Sequence, residues 1–167
     1  MRGKVIKYEQ ANINTDLIIP ARYLVKSDPE FLSTHCMEDL DPLFHQKKEN
    51  LGAEILVAGP NFGSGSSREQ APLALKHSGI KCVIAPFFAR IFLRNAINIG
   101  LPLIEFNEID ELNEGDELEI DFQAGVLRNI TTGQSYSVTK MPKFLQEIIN
   151  AGGLLKYGKS LLKEIHR

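Results

Sequence analysis

At 167 residues the chain has the length of one domain, and its 43% apolar content is enough to bury a core without disulfide or metal staples. Charged residues make up 24% and the net charge is −2, which excludes a disordered chain and leaves no bulk positive field to hold nucleic acid or an anionic membrane. The longest apolar run, Cys82 to Ala89, is bracketed by Lys81 and Arg90 and falls far short of the ~20 residues that span a bilayer.

In chain order, the opening MRGKVIKYEQ has no apolar signal region, so a cytoplasmic chain with a single domain over residues 1–167 is expected. Leu17 to Ile19, ending at Pro20, predicts a short strand that runs into a loop. Asp28-Pro29 is a helix start, with Asp28 as N-cap, Pro29 at the first helical position, and Glu30, Phe31 and Leu32 continuing it. A second short helix is expected from Met37 to Leu43. Glu54 to Gly59 is a compact apolar run closed by glycine, the pattern of a buried strand, and Pro60 to Ser67 comes next as a glycine- and serine-rich loop.

Ala71 to Lys76 has helical composition with Gly79 as terminator, and Ile80 to Ala85 is another buried strand. Phe88 to Asn95 carries apolar residues at helical spacing up to Gly100, and Leu101 to Phe106 is a third apolar strand. This alternation is the grammar of parallel crossover units. Beyond it, Leu118, Ile120 and Phe122 alternate with Glu119 and Asp121, while Gly125 and Gly133 punctuate the next residues, so antiparallel strands with one wet face are expected. From Pro142 the chain turns helical, with Phe144, Leu145, Ile148 and Ile149 on one face and Gly152-Gly153 as the stop. The fold class is therefore α/β, with a small parallel sheet, an additional antiparallel sheet and flanking helices. Nine acidic residues lie between Glu105 and Asp121 without ligand spacing, which reads as a solvated edge rather than a cation site.

The two cysteines, Cys36 and Cys82, are 46 positions apart and form no zinc or iron–sulfur motif, so no metal site is expected in this chain. Cys82 is most simply a buried small hydrophobe. His35 adjoins Cys36 without an evident base or orienting partner, and His45, His77 and His166 are scattered and carry no role.

Chemistry concentrates in Asn61 to Glu69, NFGSGSSRE. Its glycines permit positive φ and close approach of a ligand, and it joins a buried strand to a helix, where α/β sheets place their binding sites. Ser66-x-x-Glu69 matches a capping box, which would turn backbone N–H groups toward an anion, and Arg68 adds a planar fork for a carboxylate or phosphate. The lysine of a Walker loop is absent, and Arg68 stands where a Rossmann fingerprint needs its third glycine. Pro72 falls inside a helix counted from Ser66, so the main helix should begin nearer Ala71, after a separate turn over Ser66 to Gln70.

The segment NFGSGSSREQAPLALKHSGIKCVIAPFFARIFLRNAINIGLPLIE, together with NINTDLIIPARYLV and DPEFLSTHCMEDLDPLF, resembles the small-subunit family of 3-isopropylmalate dehydratase, itself similar to the swivelling last domain of aconitase. The resemblance runs through nearly the whole chain, with Ser64 standing where many members have cysteine. It implies a swivelling β/β/α domain that acts in leucine biosynthesis. It also implies a separate large subunit that holds a [4Fe–4S] cluster, whose iron would act as Lewis acid, while this chain supplies one wall of the active site. By this similarity Ser67 matches the catalytic serine that removes and returns a proton α to a carboxylate. Ser66 and Arg68 match positions that bind the substrate carboxylate, and Thr15 and Asp16 a supporting pair. By the same similarity Tyr23, Leu24, Val25 and Lys26 match the loop that faces the substituent distinguishing one malate from another. Members acting on homocitrate-like substrates tend to carry arginine where this chain has Val25, so an apolar isopropyl group is the better fit unless Lys26 turns inward. The alternatives are a small subunit of homoaconitase or of another substituted-malate dehydratase, or a non-catalytic anion- or nucleotide-binding module.

Overall fold

A computed structural model describes residues 1–165; His166 lies outside them. The strands β1 (Arg2–Tyr8), β2 (Ala53–Ala58), β3 (Cys82–Ala85), β4 (Leu103–Glu105), β5 (Glu117–Asp121), β6 (Val126–Asn129) and β7 (Ser135–Ser137) form one mixed sheet in the order β4-β3-β2-β1-β5-β6-β7. The helices are α1 (Thr15–Ile18), α2 (Pro29–Thr34), α3 (Phe44–Leu51), α4 (Gln70–His77), α5 (Arg90–Ile99), α6 (Lys143–Asn150) and α7 (Leu154–Ile165).

The apolar runs expected as buried strands are β2, β3 and β4, paired in parallel, and all four residues of β3 are buried. The antiparallel strands after Glu117 pair as β5, β6 and β7. These two parts are joined into a single sheet by β1, which is parallel to β2 on one side and antiparallel to β5 on the other. No strand is expected there from the sequence, because Arg2, Lys4 and Lys7 interrupt the apolar pattern and Val5 and Ile6 stand adjacent rather than alternating. A register shift between Lys4 and Val5 accompanies that irregularity.

Ile6, Leu56 and Val83 belong to a core shared with Leu32, Phe44, Leu75 and Phe92 of the helices. Val5, Ile55, Val57, Cys82 and Ile84 alternate with them and belong to a second core with Ile109, Leu112, Leu118, Ile120 and Leu127. Phe106, just past β4, and Tyr136 of β7 contact edge to face at 5.1 Å although those strands end the sheet on opposite sides. The sheet therefore curls around the second core. Of the nine acids from Glu105 to Asp121, Asp116 is the buried one, accepting from Asn129 Nδ2 at 2.7 Å and from the Asn113 N–H at 2.8 Å. Among the described residues no helix is long and apolar enough to cross a membrane.

Three local expectations need correction. Leu17 to Ile19 is not a strand: Asn14 caps α1 by accepting from the Leu17 N–H, and the Ile19 N–H closes the turn on the Thr15 carbonyl. The helix placed at Met37 to Leu43 lies instead at Phe44 to Leu51, because Met37 takes a left-handed conformation at φ 62° and turns the chain. The terminal helix α7, whose start comes directly after the Gly152-Gly153 stop, is not expected from the sequence. Asp28 does cap α2, accepting from the Phe31 N–H at 2.9 Å.

Gly63 is required by both backbone and packing. It sits at φ +78°, and a Cβ there would lie 2.2 Å from Phe92 Cγ and 2.4 Å from Phe92 Cβ, atoms too near the helix backbone to yield. Gly63→Ala is expected to destabilise the fold by about 2–5 kcal/mol. A thermal melt of the variant checks this, and an unchanged Tm would refute the close packing of this loop on α5.

Candidate active site

The site forms where three parallel strands end. The segments after β1, β2 and β3 meet at their C-terminal ends, the side of an α/β sheet that is open to a ligand. Residues 12–15 run alongside the glycine–serine loop: the Asn12 N–H donates to the Pro60 carbonyl at 2.9 Å, Gly63 N–H to Ile13 at 2.8 Å and Thr15 N–H to Ser64 at 2.8 Å. On its other side the Asn61 N–H donates to the Phe87 carbonyl and the Ala89 N–H to the Phe62 carbonyl, each at 3.0 Å. Phe62 is fully buried and packs edge to face on Phe92 at 5.2 Å. Gly65, at φ +89°, then turns the chain outward toward Ser66.

Thr15 is buried, and its hydroxyl donates to the Ser66 carbonyl at 3.0 Å, which fixes the backbone just before Ser67. Asp16 forms an ion pair with Arg68 Nη1, and the same nitrogen approaches the Ile19 carbonyl at 3.4 Å. The Arg68 side chain is only 15% exposed, so its guanidinium is held at the rim rather than waving in solvent. Ser66 and Ser67 are exposed, and among the described residues the Ser67 hydroxyl and the N–H groups of Ser66, Ser67 and Arg68 have no hydrogen-bond partner. The five residues Thr15, Asp16, Ser66, Ser67 and Arg68 are thus brought together from two segments about fifty positions apart.

The capping box is not formed. Helix α4 begins at Gln70 with Glu69 as N-cap and without a side-chain cap bond, and Ser66 to Arg68 are not helical. The separate first turn over Ser66 to Gln70 is likewise absent. Pro72 falls in the first turn of α4, where its missing N–H leaves no helical bond unmade.

Leu24, Val25 and Lys26 follow the 3-10 turn Ala21–Tyr23, which continues directly from Ile19 and Pro20 beside Arg68. Leu24 packs partly against the main core, whereas Val25 is 82% exposed. Lys26 Nζ sits 4.9 Å from the centre of the Phe31 ring, so its ammonium is held on α2. His35 does have a partner, contrary to the expectation from sequence: Nδ1 lies 2.7 Å from Glu38 Oε2. The i,i+3 spacing of His35 and Glu38 was the available signal. Tyr23, which the resemblance placed at the head of this loop without a role of its own, stacks on the His35 ring at 3.6 Å.

The cysteines do not fit an iron–sulfur cluster. Cys36 and Cys82 are fully buried in different cores. Burial pushes the Cys36 thiol up to about 12 and raises that of Cys82 as well, so neither offers a thiolate. Among the described residues no group of three or more His, Cys, Asp or Glu side chains is placed to hold a metal ion.

Comparison with known proteins matches residues 37–109 to the aconitase C-terminal domain family. The 3-isopropylmalate dehydratase small subunit of Ruminiclostridium cellulolyticum is 55% identical over 162 residues, covering 96% of this chain and 98% of its own. That of Aquifex aeolicus is 56% identical over 163 residues, covering 96% and 95%. The crystal structure of a 3-isopropylmalate dehydratase from Methanocaldococcus jannaschii superposes with a TM-score of 0.87 at 40% identity, covering 99% of this chain and 98% of that one. With its seven-stranded curled sheet and near full-length identity, the chain belongs to the 3-isopropylmalate dehydratase small-subunit family.

Proposed function

We propose that this chain is the small subunit of a cytoplasmic 3-isopropylmalate dehydratase, a hydro-lyase that interconverts 2- and 3-isopropylmalate by dehydration and rehydration in leucine biosynthesis. The observation that carries this reading is an exposed serine, Ser67, without a partner among the described residues, flanked by Arg68, itself anchored by Asp16, in a chain of that family. Ser67 is the base that takes a proton from the carbon α to a carboxylate and returns it. A free serine is a poor base, and the adjacent guanidinium and N–H groups supply the positive potential that favours its oxyanion. Ser66 and Arg68 bind the malate carboxylate, Arg68 through its planar fork. Thr15 and Asp16 hold these two in place. Leu24 and Val25 face the substituent, while Lys26, which the resemblance also puts in this loop, rests its ammonium on the Phe31 ring.

The partner is a large subunit that carries the iron–sulfur cluster with its own ligands, and the substrate lies between the two chains. Val25 favours an isopropyl group over the third carboxylate of homoaconitate, because a carboxylate against valine would lose solvent without gaining a donor. The full chain alone is expected to fold, to show no cluster absorbance and to turn over no substrate, and to become active only with the large subunit. Absorption spectra and turnover assays of the chain with and without its partner check this. A coloured, active isolated chain would overturn the two-subunit reading.

A further inference from the structure

The loop that faces the substituent does little to hold itself in place. Among the described residues Val25, Lys26 and Ser27 make no hydrogen bond, and Val25 is 82% exposed, so the position of Val25 is inherited from the residues on either side. On one side Tyr23 stacks on the His35 ring with centroids 3.6 Å apart and planes 8° from parallel. Its hydroxyl donates to Glu38 Oε1 at 2.8 Å, and Glu38 Oε2 takes the His35 Nδ1 contact at 2.7 Å. Hydrogen bonds from His35 and Tyr23 hold the Glu38 carboxyl below the usual carboxylate range. An ionised carboxylate only accepts, so His35 carries its proton on Nδ1. On the other side Lys26 rests on Phe31, whose ring meets both Tyr23 and His35 edge to face, at 6.1 and 5.0 Å. The residues before and after Leu24-Val25 therefore converge on one aromatic cluster borne by α2 and the turn after it.

We propose that Tyr23, His35 and Glu38 are positioning residues that clamp the substrate-facing loop, so that discrimination between malate substituents depends on side chains that do not touch the substituent. Arg22 reinforces the clamp: its guanidinium lies 4.6 Å from the Tyr23 ring centre and donates twice to Asp39, at 2.6 and 2.8 Å. A merely structural cluster would affect all substrates alike. A clamp affects chiefly the substrate whose side group reaches Val25, and it acts on binding more than on the proton transfer at Ser67.

The inference rests on the reading of this chain as a dehydratase small subunit. Its test uses the reconstituted complex with isopropylmalate and with a methyl-substituted malate. His35→Ala is expected to raise KM for isopropylmalate about tenfold, with kcat within about twofold and KM for the methyl substrate little changed. His35→Phe, which keeps a ring under Tyr23, is expected to recover most of the loss. Tyr23→Phe removes only the bond to Glu38, should give a smaller shift of the same kind, and carries the test if His35→Ala does not fold. Equal losses for both substrates, or unchanged constants in a folded variant, would overturn the clamp.

A second readout does not require activity. Because Cys36 and Cys82 are buried, a nitroxide spin label attached to Val25→Cys in the full chain reports on the loop alone. Its spectrum should sharpen when His35→Ala is added, and an unchanged line width overturns the proposal. If the wild-type complex turns over neither malate, the functional reading fails, and the line width still decides the clamp.

Discussion

Replacing Ser67 with alanine in the assembled enzyme is expected to lower kcat about 10²–10⁴-fold while leaving KM nearly unchanged. The reason lies in where the residue stands. Its hydroxyl is exposed and without a partner among the described residues, so removing it takes away no bond that supports the fold and no contact that holds the loop. The neighbours that fix the backbone remain, with Thr15 bonded to the Ser66 carbonyl and Arg68 paired with Asp16. With the roles proposed above, substrate carboxylate binding through Ser66 and Arg68 should persist, and only the proposed proton acceptor is lost. A base acts on the barrier rather than on the ground state, which separates the two kinetic constants. Steady-state kinetics, with a thermal melt that shows no shift, check the prediction. Near-normal turnover would show that another group is the base.

Val25→Arg is expected to move the preference of the complex from isopropylmalate toward homoaconitate by about 10–100-fold in the ratio of kcat/KM, the equivalent of ~1.5–3 kcal/mol for a well-aligned arginine–carboxylate bond. Val25 is 82% exposed, so the longer side chain meets no core and costs the fold little. On the proposed reading Ser66 and Arg68 hold the malate portion, the substitution does not touch them, and the chemistry should survive. Isopropylmalate also loses apolar contact, at ~0.8 kcal/mol for each methyl-sized group buried there. Lys26→Ala is the control. With its ammonium on the Phe31 ring, Lys26 does not face the substituent, so its removal should leave the ratio unchanged. Kinetics of both variants with both substrates decide the matter, and an unchanged ratio in Val25→Arg would remove this loop from the specificity argument.

By itself, the sequence determined those elements whose signal is carried by near neighbours. The apolar runs of β2 and β3 are legible because strands buried on both faces need no alternation. Helix α5 is legible from its apolar spacing and from Gly100, which takes the left-handed cap at φ 75°. Asp28-Pro29 announced α2 with its own cap, and the composition of Asn61 to Glu69 marked the loop that the fold places at the C-terminal ends of the parallel strands. The roles given to Ser66, Ser67, Arg68, Thr15 and Asp16 came from resemblance to a family rather than from spacing.

Tertiary structure decided the rest. β1 is a central strand only because β2 and β5 pair with it from both sides, and a lone Val5-Ile6 pair among lysines carries no period that would reveal this. The capping box at Ser66 lost to competing demands: Thr15 binds the Ser66 carbonyl, Asp16 holds Arg68, and the helix starts only at Gln70. His35 acquired its stacking partner Tyr23 through the turn that brings α2 back over residues 21–23, a contact twelve positions apart in the chain. Propensity and periodicity are properties of a residue and its neighbours along the chain. Strand pairing, the choice among competing hydrogen bonds and the seating of an exposed loop depend on segments that meet only after folding.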